Sequence, residues 1–406
     1  MMRRLLLLAG ILAATPAVAQ KQDFTLIERG RYLTGMGDCV ACHSAPGGKP
    51  FAGGRAIETP FGKLVSPNLT PDPATGIGAW TDAEFLRAMH EGKGRAGEHL
   101  YPAFPYVYYA RVSDDDVLAI RAYLSTLEPV VNQVATNQLP FPFDVRASLA
   151  AWNELNFTPG RFQPDTAKSA EWNRGSYIVN GLEHCGLCHT PKGISGGDKT
   201  GEFLQGNKLQ GWFAPNITGD QRRGIGSWSV DAIAEYLRSG HNSFAAASGP
   251  MAEMVEESGV GLAEPDLRAI AVYLKDLPGQ AATAAAVSAD SPTMQAGVAI
   301  YQDECSACHS RSGAGVPRLF PALKGAPTVQ QDNALSLIRV VLQGAQSSQN
   351  AHAVTGPAMP ALGWKLSDAQ VANAVTYIRN AWGNAAPAVV EADVRSVRAE
   401  LAKRTD

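Results

Sequence analysis

The chain has no basic run and little charge of either sign. Thirty-five Lys and Arg stand against 38 Asp and Glu, a net of -3, and charged residues make up 18% of the 406. Phosphate neutralisation drives nucleic-acid binding, so this balance makes a poor nucleic-acid binder. Beyond the first twenty residues no apolar stretch approaches the ~20 residues that span a bilayer. Six cysteines in 406 residues are too few for a disulfide-built scaffold. No phosphate loop, flavin fingerprint or Ser-His-Asp set stands out, which argues against a catalyst acting alone. What is present is a globular balance, 45% hydrophobic, with 40 glycines and 26 prolines supplying many loops. The length suggests two to four domains.

The first residues read as an address. Arg3 and Arg4 precede an apolar core of Leu5 to Leu8, Ile11 and Leu12, and Ala17-Val18-Ala19 supplies small residues for a peptidase. Residues 1–19 are therefore expected to be a secretory signal peptide, cut after Ala19. The mature chain is expected to fold outside the cytoplasm, without a spanning helix of its own. Export permits disulfides, so the cysteine pattern must be weighed against them.

All six cysteines fall in one motif used three times. Cys39-Val40-Ala41-Cys42-His43, Cys185-Gly186-Leu187-Cys188-His189 and Cys305-Ser306-Ala307-Cys308-His309 each hold two residues between cysteines and a histidine after them. At this composition about 0.002 such motifs are expected by chance. The pattern is that of c-type haem attachment. One turn of chain carries both thiols to the porphyrin's two vinyl groups, and the next residue supplies an imidazole to the iron. A structural zinc site would need a fourth ligand each time. The reading is three covalently bound haem c, held by Cys39, Cys42, Cys185, Cys188, Cys305 and Cys308, with His43, His189 and His309 as proximal ligands.

The surroundings repeat as well. Arg29-Gly30-Arg31-Tyr32 and Arg174-Gly175-Ser176-Tyr177 precede the first two motifs, and the looser Gly297-Val298-Ala299-Ile300-Tyr301 precedes the third. Ser66-Pro67-Asn68-Leu69-Thr70 parallels Ala214-Pro215-Asn216-Ile217-Thr218. Helices are predicted at 82–91 and 230–239, capped by Thr81 and Ser229 and stopped by Gly92 and Gly240. Each copy closes with an amphipathic helix, at 114–127, 264–277 and 368–382, expected to pack across the helix before the motif. The expected fold is all-α, three tandem cytochrome c-like domains at 20–150, 165–280 and 290–386, joined by extended linkers, with a tail at 387–406. Residues 146–157 read as a helix that either braces two copies or simply links them. Residues 389–402 read as a tail helix that is either membrane-lying or solvated.

Methionine is the expected distal ligand. Met359, in Gly356-Pro357-Ala358-Met359-Pro360, fills that place in the third copy. The second copy offers Met251 and Met254, with Met251 preferred because Pro250 precedes it. The first copy has Phe104 where methionine is expected, and Phe cannot ligate iron. Its distal ligand is unassigned. Met89 reads as core, Met36 is weaker still, and His90 and His99 read as exposed. His184 and His241 read as solvated surface histidines rather than propionate partners.

Residue by residue, the chain resembles the triheme cytochrome c subunits of periplasmic, membrane-associated bacterial dehydrogenases. The family includes partners of quinoprotein alcohol dehydrogenase, of flavin-dependent gluconate and sorbitol-type dehydrogenases, and of molybdenum hydroxylases such as nicotinate dehydrogenase. The residues carrying the resemblance are Gly37 to His43, Ser66 to Asp72, Leu100-Tyr101-Pro102-Ala103-Phe104-Pro105-Tyr106, and Ala381-Trp382-Gly383-Asn384. It implies electron transfer from a molybdenum, quinoprotein or flavoprotein catalytic subunit, through three haems, to ubiquinone or a terminal oxidase. The alcohol-dehydrogenase members resemble this chain in that loop but carry Met where Phe104 stands. Ser169 to Gly175 and Ala247 to Glu253 look more like the molybdenum branch, which also favours Met251. Two rival readings stand beside it: a haem enzyme with an open, peroxidase-like first haem, and a free diffusible carrier.

Overall fold

A computed structural model describes residues 23–279 and 286–404. The expected signal peptide lies outside these residues. In the first copy the helices are α1 (Phe24–Met36), α2 (Cys39–His43), α3 (Asp82–Glu91), α4 (Tyr106–Tyr109) and α5 (Asp114–Leu124). α6 (Ser148–Asn156) follows. The second copy has α7 (Ala170–Val179), α8 (Gly186–His189), α9 (Val230–Ser239), α10 (Pro250–Glu257) and α11 (Glu264–Asp276). The third has α12 (Pro292–Glu304), α13 (Ser306–His309), α14 (Leu335–Gln343), α15 (Asp368–Asn380) and α16 (Glu391–Leu401).

The caps set the helix limits. Thr81 and Glu84 form a reciprocal capping box on α3, which stops where Gly92 turns left-handed at φ 61. Ser229 accepts from Ala232 N at the start of α9, and Gly240 at φ 73 ends it. Both helices have the predicted limits. The closing helices are two or three residues shorter than expected at their C-termini, except α11, which is one shorter.

The all-α expectation needs correcting. Each copy also carries a small antiparallel pair: β1 (Ala56–Thr59) with β2 (Gly62–Val65), β3 (Asn207–Leu209) with β4 (Trp212–Ala214), and β5 (Ala345–Gln346) with β6 (Ala358–Met359). The loops beyond the motifs are long and extended, so they pair with themselves. Gln210 and Gly211, at φ 46 and 70, make the two-residue turn between β3 and β4.

In every copy the helix before the motif packs on the closing helix: α1 on α5, α7 on α11, α12 on α15. The repeated glycine explains how closely. A Cβ on Gly30 would lie 1.8 Å from the Ala119 carbonyl oxygen, one on Gly175 1.9 Å from that of Ala269, and one on Gly297 2.4 Å from that of Asn373.

The first two copies do not keep separate cores. Leu33, Met36, Ile120 and Leu124 of the first join Ile178, Leu182, Leu267 and Ile270 of the second in one apolar cluster. The Arg-Gly-x-Tyr segments lock this seam reciprocally. Arg29 Nε donates to Asp116 within its own copy (2.7 Å), and Tyr177 of the second copy donates to the other oxygen of Asp116 (2.6 Å). Arg174 grips Asp266 in its own copy (2.8 and 2.7 Å), and Tyr32 of the first copy donates to Asp266 (2.7 Å). The third copy has Gln370 at the corresponding helix position and neither the Arg nor the Tyr.

α6 braces the same pair. Tyr106 of the first copy donates to Asn153 on α6 (2.6 Å), and Trp152 on α6 donates to the Ser195 carbonyl of the second (2.8 Å). The third copy meets the second through polar contacts. Phe213 N donates to Ser336 Oγ (2.8 Å), Arg223 pairs with Asp332 (2.6 Å), and the His241 ring donates to the Ser348 carbonyl (2.9 Å). The C-terminal helix keeps its polar face exposed, but its apolar face is covered by the third copy and so is not offered to a bilayer. Val394, Val397 and Leu401 of α16 are buried among residues of α14 and α15. Among the described residues no helix is long and apolar enough to cross a membrane.

Candidate haem-binding site

Each motif forms a single helical turn. Residues three and four apart share a face, so both thiols and the imidazole project together. In the first two copies a left-handed residue leads into the first cysteine: Asp38 at φ 50 and His184 at φ 34. Non-glycine residues seldom adopt this conformation. All six cysteines are free thiols. Burial pushes Cys39 up to about 12 and Cys42, Cys188 and Cys305 up to about 11.

The three histidines are held in one way. Nδ1 of His43 bonds the Pro67 carbonyl at 2.8 Å, that of His189 the Pro215 carbonyl at 2.7 Å, and that of His309 the Pro321 carbonyl at 3.0 Å. A carbonyl oxygen can only accept, so Nδ1 carries the proton and Nε2 keeps its lone pair. Such a bond fixes ring orientation and raises basicity in metal-binding histidines. Burial lowers all three imidazole pKa values, against the opposing pull of the proline carbonyl, so the rings stay neutral.

This bond explains the repeated Pro-Asn segments. Asn68 Oδ1 accepts from both the backbone and the hydroxyl of Thr70 (2.9 and 2.7 Å), and Asn216 does the same with Thr218 (2.8 Å each). The turn fixes the carbonyl just before it. Pro321 serves the third histidine without the Asn or Thr. Sequence reasoning missed it; a proline in the loop after the motif was the available signal.

A cavity of about 2840 Å³ runs through the molecule. Ordinary ligand pockets are about 300–1,000 Å³, so this one has room for several large groups. Cys42 of the first motif, Cys185 and Cys188 of the second and Cys305 and Cys308 of the third line it, with His189 and His309. Met251, Met254 and Met359 line it too, so geometry leaves the choice between the first two open. Met359 is placed by β6, paired with Ala345.

Two donors fit an anionic, porphyrin-like group here. Trp228 and Arg379 both line the cavity, and Trp228 Nε1 and Arg379 Nη1 are buried with no partner among the described residues. Arg379 spends its other nitrogens on the Gln331 carbonyl (2.7 Å) and the Pro387 carbonyl (3.1 Å). Burial brings its pKa down to about 10. A buried guanidinium calls for an anion, and a haem propionate meets that need.

Several expectations for single residues change. Met36 and Met89 are packed in the shared core, at 1% and 6% exposure, as expected for Met89. His90 is buried rather than exposed, and burial brings it down to about 4. His99 is tied to Lys93 (2.8 Å). His241 is buried at the seam with the third copy, not solvated. His184 is half-buried, lines the cavity and meets the Tyr109 ring edge-on at 5.7 Å. Phe104 packs on Tyr109 at 5.5 Å between ring centres.

The cytochrome c family model matches residues 27–128 and 294–382. The chain is 39% identical over 421 residues to the gluconate 2-dehydrogenase cytochrome c subunit of Pantoea cypripedii, covering 98% of this chain and 95% of that one. It is 37% identical to the alcohol dehydrogenase (quinone) cytochrome c subunit of Gluconacetobacter polyoxogenes, covering 97% and 87%. It is also 40% identical, over 94% of its own length, to a nicotinate dehydrogenase subunit of Pseudomonas putida, of which it spans 32%. With near-complete coverage of the first two at this identity, the chain belongs to the cytochrome c subunits of dehydrogenase complexes, electron-transfer proteins carrying covalently bound haem c.

Proposed function

We propose that this chain is a triheme relay built as three cytochrome c-like units. Cys39 and Cys42, Cys185 and Cys188, and Cys305 and Cys308 attach the haems. His43, His189 and His309 are the proximal ligands, with Met251 and Met359 distal in the second and third units. The observation that carries this is the imidazole-to-proline-carbonyl bond, made by each of the three motif histidines and leaving each Nε2 free. Haem iron supplies one-electron redox chemistry when bound. The chain's own part is to hold each imidazole neutral and aimed, and to offer Trp228 and Arg379 to negative charge.

The donor in this reading is the catalytic subunit of a periplasmic dehydrogenase: molybdenum, quinoprotein or flavoprotein. The acceptor is ubiquinone or a terminal oxidase. The chain is exported by a cleaved signal peptide and sits peripherally at the inner membrane. Its relatives' names, which place them as cytochrome subunits of gluconate and quinone-linked alcohol dehydrogenases, support a dehydrogenase partner.

Mass spectrometry of the exported, denatured protein should show three haem additions. The Cys39→Ala, Cys42→Ala double variant should show two. Fewer than three additions on the unaltered chain would overturn the triheme reading. Phe104 leads to a second expectation. Its ring is committed to the Tyr109 contact and Met36 and Met89 to the core, so the first haem lacks a methionine ligand. Reduced protein should bind carbon monoxide at one haem per chain, and Phe104→Met should abolish this. Binding at none, or at all three, would contradict it.

A further inference from the structure

The seam between the first two motifs carries a buried and a half-buried carboxyl group, Glu183 and Asp38, that haem attachment does not use. Glu183 is 5% exposed and stands two residues before Cys185; it lines the cavity beside Asp38, which abuts Cys39. The cysteines bind the porphyrin edge rather than the iron, so neither carboxyl is next to a metal ligand in sequence. Asp38 occupies the N-cap position of α2 but makes no cap bond, and its Oδ1 is buried without a partner among the described residues.

The hydrogen bonding around Glu183 bears on its protonation. Ser258 Oγ lies 2.9 Å from Glu183 Oε1 and 3.2 Å from the Met36 carbonyl oxygen. A hydroxyl has one proton, and the carbonyl can only accept. Both contacts are satisfied together when Glu183 carries a proton and donates it to Ser258, which then donates to Met36. With Glu183 ionised, Ser258 must choose one acceptor.

The groups facing this pocket come from several elements. Asp38 stands at the α1–α2 corner, Glu253 and Glu257 on α10, Tyr109 on α4 and His184 before α8. The cation facing Asp38 is Arg55, and it is committed to Glu253, through Nη2 at 3.0 Å and a second bond, and to the Ala41 carbonyl. Burial pushes Glu183 up to about 8 against the Ser258 bond; burial and then the neighbouring Glu183, Glu253 and Glu257 push Asp38 up to about 8 against Arg55.

We propose that Glu183, coupled to Asp38, is a redox-linked proton site that binds one proton as the adjoining haems are reduced and releases it when they are reoxidised. The step balances as ferric iron, one electron, a carboxylate and one solvent proton giving ferrous iron and a carboxylic acid. The electron comes from the reduced dehydrogenase subunit, or from dithionite in a test. Adding an electron beside a buried carboxylate raises the cost of its negative charge, and protonation relieves it. The inference rests on the triheme reading, because it needs haems at the first two motifs.

The test is spectroelectrochemical titration of the full holoprotein from about pH 6 to 9, across the usual range of a raised carboxyl. One low-potential component should fall with pH, approaching one proton per electron, and Glu183→Gln should flatten it while Asp38→Asn shifts its midpoint. Haem count is read on each variant by mass. Loss of a haem on the unaltered chain sinks the triheme reading; three haems with an unchanged pH slope in Glu183→Gln sinks the proton site alone. Should Glu183→Gln fail to mature, proton uptake by unaltered protein on dithionite reduction at pH 8, followed with an indicator dye, decides the matter. No uptake overturns the proposal.

Discussion

Gly175→Ala should lower the thermal midpoint by roughly 3–6 °C, and Gly30→Ala should do the same, while Gly35→Ala on the same helix as Gly30 should raise it slightly. The added Cβ of Gly175 would sit 1.9 Å from the Ala269 carbonyl oxygen, and that of Gly30 1.8 Å from the Ala119 oxygen. Neither obstacle is the tip of a flexible side chain. Both are backbone of the closing helix, so the two helices must separate or shift. Overpacking of this kind costs about 1–3 kcal/mol and sometimes more, and these contacts belong at the upper end. In a chain of this size each kcal/mol moves the midpoint by about 1–2 °C. Gly35 has nothing within 4 Å of its added Cβ, so there only the gain in helix propensity, about 0.5–1 kcal/mol, remains. Scanning calorimetry on holoprotein reads all three. Equal effects at Gly30 and Gly35 would contradict the close helix packing.

That contrast shows what was legible in the sequence. The glycine before each motif was visible as a repeat, but its reason was not, because the partner backbone lies some 90 residues away for the first two copies. Local signals read well. Thr81 with Glu84, and Ser229 with Gly240, fixed their helices to the residue, since capping is decided within one turn. The cysteine motifs were equally local. What escaped was non-local. The Pro67 and Pro215 carbonyls could be seen as parts of a repeat, yet nothing in their spacing said that a histidine 24 or 26 residues earlier would donate to them. Val394, Val397 and Leu401 gave the apolar face of a terminal helix, but a face does not name what covers it: a bilayer and water were the two candidates, and the structure covers it with the third core. Polarity alone places His90 and His241 at the surface, whereas the fold buries both rings.

The same limit concealed the seam between the first two copies, where the other large effect is expected. Asp266→Ala should destabilise the chain by about 2–3 kcal/mol, or roughly 2–6 °C in thermal midpoint. One carboxylate serves two copies there. Its oxygens accept from Arg174 at 2.8 and 2.7 Å and from Tyr32 at 2.7 Å. Removing it strands a part-buried guanidinium and a phenol across the interface. Arg174 keeps about a third of its side chain in water, which is why the loss falls below that of a fully buried pair. The pH dependence has a definite sign. Burial raises the Asp266 pKa, but the bonds from Arg174 and Tyr32 outweigh it and hold the group below the ordinary carboxylate value. A group whose folded pKa is depressed stabilises above its unfolded pKa, about 3.9 for Asp, and that contribution fades as pH falls through the folded value. The gap between unaltered protein and Asp266→Asn should therefore be constant from about pH 5 to 8 and close below about pH 4. A gap that widens on acidification would mean that the carboxyl is held neutral, and would remove the reciprocal lock between the first two copies. Tyr32→Phe supplies the finer cut: it deletes the contact made from the first copy and leaves the Arg174 pair intact. Its cost should be about 1 kcal/mol, and its effect should shrink in the Asp266→Ala background to what remains of the Ala263 N–H bond to the same hydroxyl (3.1 Å), because the two variants share only the Tyr32–Asp266 bond.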